Sequence, residues 1–277
     1  MGSIVTRAKR LRAYRFSAQA AALVLLNLRF LNVWFPNLAL SGMLGVCAPG
    51  FYCHGCPWAT MACPIGVIVT SLRSGAGLVL VVALASISLL GTLGGRLMCG
   101  WICPFGWLQE LLYRIRTRKF RLPGRLRYVK YVVLAAFVFA GPYFLPHLRL
   151  SVCDACPSAF IESVIPYGFQ VNWAHNVPGI LDARFFLKGG VTLAIIILSI
   201  LVSRGFCRML CPLGAMFGLF NKFSLFRYGL TYHKCTGCGA CAKVCPVEID
   251  PIKQMNEAEC IKCYECTTTR HIKMGVG

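Results

Sequence analysis

Apolar residues gather into four runs long enough to cross a hydrocarbon core of about 30 Å, which takes ~20 residues of helix. The runs cover residues 16–35, 76–97, 128–148 and 185–202. They are continuous rather than alternating, so the pattern predicts membrane helices and not barrel strands. Residues 36–75, between the first two runs, are too many and too apolar for a plain connection. The stretch Pro64-Ile-Gly-Val-Ile-Val predicts a second short helix there, re-entering the membrane or lying on its surface.

Polar positions give the runs a direction. Arg7, Lys9, Arg10, Arg12 and Arg15 precede the first run. Arg114, Arg116, Arg118, Lys119, Arg121, Arg125 and Arg127 join the second to the third, and Arg204, Arg208, Lys222, Arg227 and Lys234 follow the fourth. The other two connections hold only Arg73, and Arg149 with Arg184. Basic flanks stay in the cytoplasm, which predicts a multi-pass protein of the inner (cytoplasmic) membrane with both termini inside. The first run is too long for a signal peptide and no small-residue cleavage site follows it, so a retained span is expected. That span carries Asn27, Arg29 and Asn32; Arg29 either serves a function there or snorkels to the helix end.

Composition excludes several classes. Of 277 residues, 57% are hydrophobic and 14% charged, with a mean hydropathy of +0.65. Soluble domains carry about 25% charged residues. The apolar content excludes disorder, and the length with its long apolar runs excludes a small disulfide-stapled domain. The net charge of +20 flanks the runs instead of forming one patch, which points to lipid and away from nucleic acid. The chain also holds 17 cysteines, a number that points to thiolate ligands.

The cysteines repeat. The first exterior loop contains Cys53-His-Gly-Cys56-Pro57 and the second Cys153-Asp-Ala-Cys156-Pro157. The cytoplasmic end of the second run reads Cys99-Gly-Trp-Ile-Cys103-Pro104-Phe-Gly106, and that of the fourth reads Cys207-Arg-Met-Leu-Cys211-Pro212-Leu-Gly214. Each half is therefore a span, a CxxCP loop, a span and a CxxxCP motif. Proline is favoured at the first helical position, so each preceding Cys falls at an N-cap, where the helix dipole favours a thiolate. Cys63-Pro64-Ile-Gly66 has the same form.

The C-terminal segment reads Cys235-x2-Cys238-x2-Cys241-x3-Cys245-Pro246, the bacterial ferredoxin run for [4Fe–4S]. Zinc sites use two close pairs and lack this four-thiol run. A second run follows at Cys260, Cys263 and Cys266, but its fourth position is Arg270. In two-cluster ferredoxins the fourth Cys of each run ligates the other cluster. Cys245, Cys260, Cys263 and Cys266 are thus a complete set. Cys235, Cys238 and Cys241 lack a fourth thiolate and predict a [3Fe–4S] centre or a [4Fe–4S] centre with another ligand.

These motifs together resemble the NapH-like family of membrane ferredoxin-type iron–sulfur proteins, with its NosR-type and MauN-type members. The resemblance covers about residues 76–270. It implies an all-α membrane protein: four transmembrane helices as two pseudo-symmetric hairpins with Cys-rich loops in residues 1–230, then a small bacterial-ferredoxin-like domain in residues 231–277. It further implies electron transfer from quinol. The exterior CxxCP pairs, with Cys47 and Cys63 beside them, and the Arg270 substitution depart from the family pattern.

Three pairings of the remaining cysteines are open. In the first, like motifs combine across the halves, giving Cys99, Cys103, Cys207 and Cys211 on one face and Cys53, Cys56, Cys153 and Cys156 on the other. Each CxxCP loop could instead re-enter to meet the CxxxCP of its own half. Or Cys47, Cys53, Cys56 and Cys63 could hold a centre alone. Thiol redox chemistry without a membrane cluster is the remaining option. In the first two pairings Cys47 and Cys63 are left over, free to form a disulfide. No CxxCH is present, so no c-type haem is indicated. His54 could hydrogen-bond a cluster sulfur, and His147 and His175 stand near exterior span ends, where quinol would need a proton acceptor or where they are simply interfacial.

No acid/base constellation for substrate chemistry is visible among nine Asp+Glu. The expected function is one-electron transfer between a quinone pool or exterior partner and a cytoplasmic partner, within a redox complex. The alternative is an assembly, maturation or redox-regulatory factor for a partner metalloenzyme. Two clusters are expected in the tail and two in the membrane part.

Overall fold

A computed structural model describes residues 2–27, 47, 50, 53, 61–147, 151–161, 183–230, 237–269 and 272–276. The first helix, α1 (Gly2–Leu26), begins well before the first apolar run. Its basic half makes tertiary contacts. Arg12 and Arg15, one turn apart, both pair with Glu265 in the C-terminal segment. The rest of the run, from residue 28, lies outside the described residues.

The short helix expected in the first loop is present as α2 (Pro64–Ser74), with Pro64 at its start. It ends at Gly75, whose φ of 71° is left-handed, and the chain turns back into α3 (Gly77–Gly94). Glycine tolerates that conformation without the Cβ clash. The two helices pack as a hairpin, burying Ile65, Ile68, Val69, Ala83 and Ile87. The helix α3 is the one described helix long and apolar enough to cross a membrane. Its outer face shows Leu78, Val81 and Leu89 at 80, 62 and 61% exposure. A Leu left in water forfeits about 1.5–3 kcal/mol of burial, so this face calls for an apolar cover.

Two short helices follow, α4 (Leu97–Trp101) and α5 (Pro104–Leu112). The third apolar run is one helical stretch built from α6 (Val129–Val133), a π-helical segment Leu134–Ala140 and α7 (Gly141–Phe144). The second half repeats the plan. A short helix α8 (Pro157–Ala159) opens after Cys156, α9 (Ala183–Leu201) is the long apolar element, and α10 (Gly205–Met209) and α11 (Pro212–Phe220) carry the second CxxxCP. Within α9, Phe185–Leu201 is apolar but shorter than a full span. Gly91 of α3 lets Phe220 of α11 close in: a Cβ there would stand 2.7 Å from the ring.

The C-terminal unit is a two-stranded antiparallel ribbon, β1 (Phe226–Leu230) with β2 (Ile272–Val276), enclosing α12 (Ala240–Lys243) and α13 (Pro251–Gln254). Tyr228 opposes Met274 in the register. Its apolar body is buried beside Cys241, Cys266 and Ile272, and its hydroxyl accepts from the Tyr264 N–H at 3.0 Å.

Candidate iron–sulfur centres

In the C-terminal unit Cys245, Cys260, Cys263 and Cys266 line one enclosed cavity, walled by Val247, Ile249, Pro251, Met255, Ile261 and Tyr228. Burial pushes the Cys245 thiol up to about 11 and Cys263 well above its usual range. Buried thiols of that kind become thiolates when a metal supplies the charge. Among the described residues no three such side chains converge on one point as a single ion requires. In a [4Fe–4S] centre each thiolate takes a different iron, so a cavity ringed by four thiols fits the cluster better than it fits zinc.

The two ferredoxin runs share a backbone form. Gly237 and Gly239 have φ of 68° and 66°; at the matching positions of the second run Lys262 and Tyr264 have φ of 48° and 63°. The described part of the first run, from Gly237, thus shares the left-handed turns of the second. Its Cys238 is exposed and Cys241 buried, whereas Cys235 and Arg270 lie outside the described residues.

Cys99, Cys103, Cys207 and Cys211 come together, buried in one core. Cys103 and Cys211 cap α5 and α11 with nearly equal dihedrals, φ/ψ of −66°/113° and −67°/112°. The Gly214 N–H donates to Cys211 Sγ at 3.3 Å. The Gln109 side-chain amide donates to Cys207 Sγ at 3.0 Å. Two buried guanidiniums bind the halves reciprocally. Arg96 donates to the Cys207 carbonyl at 3.2 Å, and Arg204 donates to the Cys99 carbonyl at 2.9 Å. Gly106 and Gly214 leave room for them: a Cβ on either would stand 3.2 Å from the guanidinium. Glu110 pairs with Arg204 at 2.6 Å and with Arg15. Burial alone would raise the Glu110 carboxyl, but Arg204 and Arg15 outweigh it and hold the group below its usual range.

Cys53, Cys63, Cys153 and Cys156 form another group of neighbouring thiols. Cys63 thus neighbours the two CxxCP loops, and neither it nor Cys47 is in a disulfide. Cys47 bridges to Ala62. Cys56 and His54 lie outside the described residues, as does His175.

The C-terminal unit sits on the inner thiols. Gly100 lies so close to it that a Cβ there would stand 2.4 Å from the Ile261 carbonyl and 3.8 Å from Cys263 Cα. Trp101 donates to the Lys262 carbonyl at 3.3 Å. Asn221 donates to the carbonyls of Glu257 and Cys260 at 2.6 and 2.8 Å.

The family described as "4Fe-4S binding domain" matches residues 74–123 and 190–231, the two segments that hold Cys99, Cys103, Cys207 and Cys211. A second family of the same description matches residues 230–249. The chain is 32% identical to the protein MJ0750 of Methanocaldococcus jannaschii over 217 residues, 75% of this chain and 82% of that one. It is 30% identical to the methylamine utilization ferredoxin-type protein MauN of Methylorubrum extorquens, over 64% of this chain and 58% of MauN. The chain belongs to the NapH-like family of ferredoxin-type iron–sulfur proteins. Protein NirI of Paracoccus denitrificans is 32% identical over 62% of this NapH-like chain, which spans only 24% of NirI. No solved structure matches it.

In this NapH-like chain the cysteine spacing alone leaves out the groups that organise the inner site. Arg96, Arg204, Gln109, Glu110, Glu259 and Glu265 are all buried. A signal for two of them is in the repeat itself, which is longer than CxxxCP: Arg96 and Arg204 each stand three residues before the first Cys, in R-x2-C-x3-C-P-x-G.

Proposed function

We propose that the protein is a membrane-bound electron-transfer subunit with four spans and both termini in the cytoplasm. It passes single electrons between a quinone pool or exterior redox partner and a partner on the cytoplasmic side. Cys245, Cys260, Cys263 and Cys266 hold one [4Fe–4S] centre, and Cys99, Cys103, Cys207 and Cys211 hold another. Cys235, Cys238 and Cys241 hold a third, [3Fe–4S] or with an unusual fourth ligand. Bound there, iron–sulfur centres supply one-electron chemistry whose potential depends on charge, hydrogen bonds to sulfur and exposure.

The observation that carries the reading is the seat of the tail on the inner thiols. The residue after Cys99 touches the backbone between Cys260 and Cys263, so the two ligand sets share a direct contact. The chain's own groups prepare each set. Arg96 and Arg204 place fixed positive charge beside the inner thiols, and Gln109 donates to a ligand sulfur. The exposed apolar faces of α3 and α9 suit lipid. Beside Cys245 an open pocket of about 690 Å³ has Arg12, Arg114, Arg121 and Lys243 in its walls together with Glu110, Glu248 and Asp250, a mixed polar surface for a redox partner.

Reporters fused after Gly277 and inserted near Gly179 test the topology: the first should read cytoplasmic and the second exterior. A cytoplasmic signal near Gly179 overturns the four-span arrangement. In the anaerobically purified full chain, Cys103→Ser and Cys211→Ser should each abolish the same EPR signal. Two different signals lost would mean that each half owns its centre. If quinol analogues and artificial donors never turn over the loaded protein, the carrier reading falls and a maturation role replaces it.

A further inference from the structure

Four Cys-Pro steps in the described chain begin helices in the same way. Cys63 has φ/ψ of −67°/123° and Cys156 −74°/124°, close to the values of Cys103 and Cys211. In each case proline takes the first helical position and leaves the preceding sulfur over the helix N-terminus. The N–H of Gly66 lies against Cys63 and that of Ala159 against Cys156, as Gly214 does at Cys211. Among the described residues the pseudo-symmetric counterpart of Cys156 is therefore Cys63, although the CxxCP spacing nominates Cys56, which lies outside them. Cys53 and Cys153 complete the group, and none of the four is in a disulfide.

The surroundings hold this group in place. Cys63 is in the same core as the inner thiols, with Cys153 and Cys156 packed on its edge. Arg73, in the last turn of α2, pairs with Asp154 at 3.2 Å and ties the second loop to the helix that Cys63 caps. Asp154 also closes a capping box with Ser151, fixing the turn between Cys153 and Cys156. The first loop reaches inward as well: a Cβ on Gly50 would stand 3.5 Å from Cys103 Cα. Cys53 is three residues further on, so its Cα lies within about 11 Å of Gly50. The outer and inner thiols are thus much nearer to each other than the ~30 Å of a hydrocarbon core.

We propose that Cys53, Cys63, Cys153 and Cys156 ligate an iron–sulfur cluster of their own, with Cys63 and not Cys56 as the fourth thiolate. Two buried thiols, Cys53 and Cys63, and two half-buried ones, Cys153 and Cys156, form an all-sulfur set, the ligand type that iron–sulfur clusters take. The inference goes beyond the proposed electron-transfer role, because the tail and inner centres do not depend on it.

The test uses the full chain, purified anaerobically, with iron, zinc and acid-labile sulfide counted per chain alongside EPR and Mössbauer spectra. Cys63→Ser should lose about four irons, the content of one such cluster, and keep the tail and inner signals. Cys56→Ser should keep the wild-type count. Cys153→Ser repeats the Cys63 test on a loop that caps no long helix, so a folding defect in α2 cannot produce the same result. Iron unchanged in both Cys63→Ser and Cys153→Ser, loss of the centre in Cys56→Ser, or zinc bound in place of iron would overturn the proposal. The inner EPR signal reports separately on the electron-transfer reading.

Discussion

Single residues decide how tightly the parts meet. Gly100 has an ordinary helical backbone, so its role is steric: a methyl there would meet the Ile261 carbonyl at 2.4 Å. Gly100→Ala should therefore cost about 1–3 kcal/mol, the usual penalty for overpacking. Gly124→Ala, where nothing lies within 4 Å, should stay within about 0.5 kcal/mol. Thermal midpoints of the iron-loaded protein in detergent check both; equal midpoints would deny the close approach. Glu110 is the reverse case, a carboxylate whose removal leaves buried charge behind. Glu110→Gln takes a carboxylate from buried Arg204 and leaves Arg15 with Glu265 alone, and should cost about 3–5 kcal/mol. Because the folded carboxyl titrates below its unfolded value of about 4.3, its contribution is complete above that pH. It is lost as the pH falls through the depressed value. A denaturation series carried below about pH 4 should show wild type converging on Glu110→Gln, with the full difference kept in milder acid. These acids and arginines were hard to read in the sequence because a buried charge looks like a surface one until its partner, 94 or 95 residues away, is located.

Elements were legible where a local rule fixes them. Proline after cysteine marked the starts of α2, α5, α8 and α11, since the missing N–H costs nothing only at a helix start. The π-helical stretch Leu134–Ala140 was not legible, because apolar composition carries no information about i→i+5 bonding. Nor was the early start of α1, whose basic turns show no apolar stripe and gain their support from Glu265 and Glu110. The ferredoxin runs show how a ligand loop substitutes side-chain anchoring for glycine. Lys262 holds a left-handed φ of 48° while its ammonium donates to the Phe226 carbonyl at 2.6 Å and to Ser224. Lys262→Ala keeps the strain and loses the anchor, at a cost of about 1.5–3 kcal/mol. Lys262→Gly should recover about 1 kcal/mol of that through the backbone. Urea midpoints that rank Gly below Ala would contradict this account.

At the scale of the whole molecule, the C-terminal unit is clamped from two sides. Glu265 takes Arg12 and Arg15 from α1, while Glu259 takes Lys130 from α6 and Arg96, the latter at 3.8 Å. Glu259→Gln with Glu265→Gln should loosen the unit, seen as faster proteolysis after residue 230 at low salt, with the tail iron count unchanged. Unchanged cleavage would place the hold in the backbone contacts of Gly100 and Asn221 instead. The repeat was legible because cysteine and proline are rare enough to stand out in an apolar chain. The seating of the tail was not, since it depends on glycines and carbonyls that carry no side-chain signature. The exchanged arginines, each reaching the opposite half's cysteine carbonyl, have a consequence for ancestry. Neither half satisfies its own motif, so a hairpin of half this length would have been complete only as a pair of identical copies about a twofold axis. The acids that meet the two arginines break that symmetry: Arg204 meets Glu110 of the first half, while Arg96 meets Glu259 of the C-terminal unit.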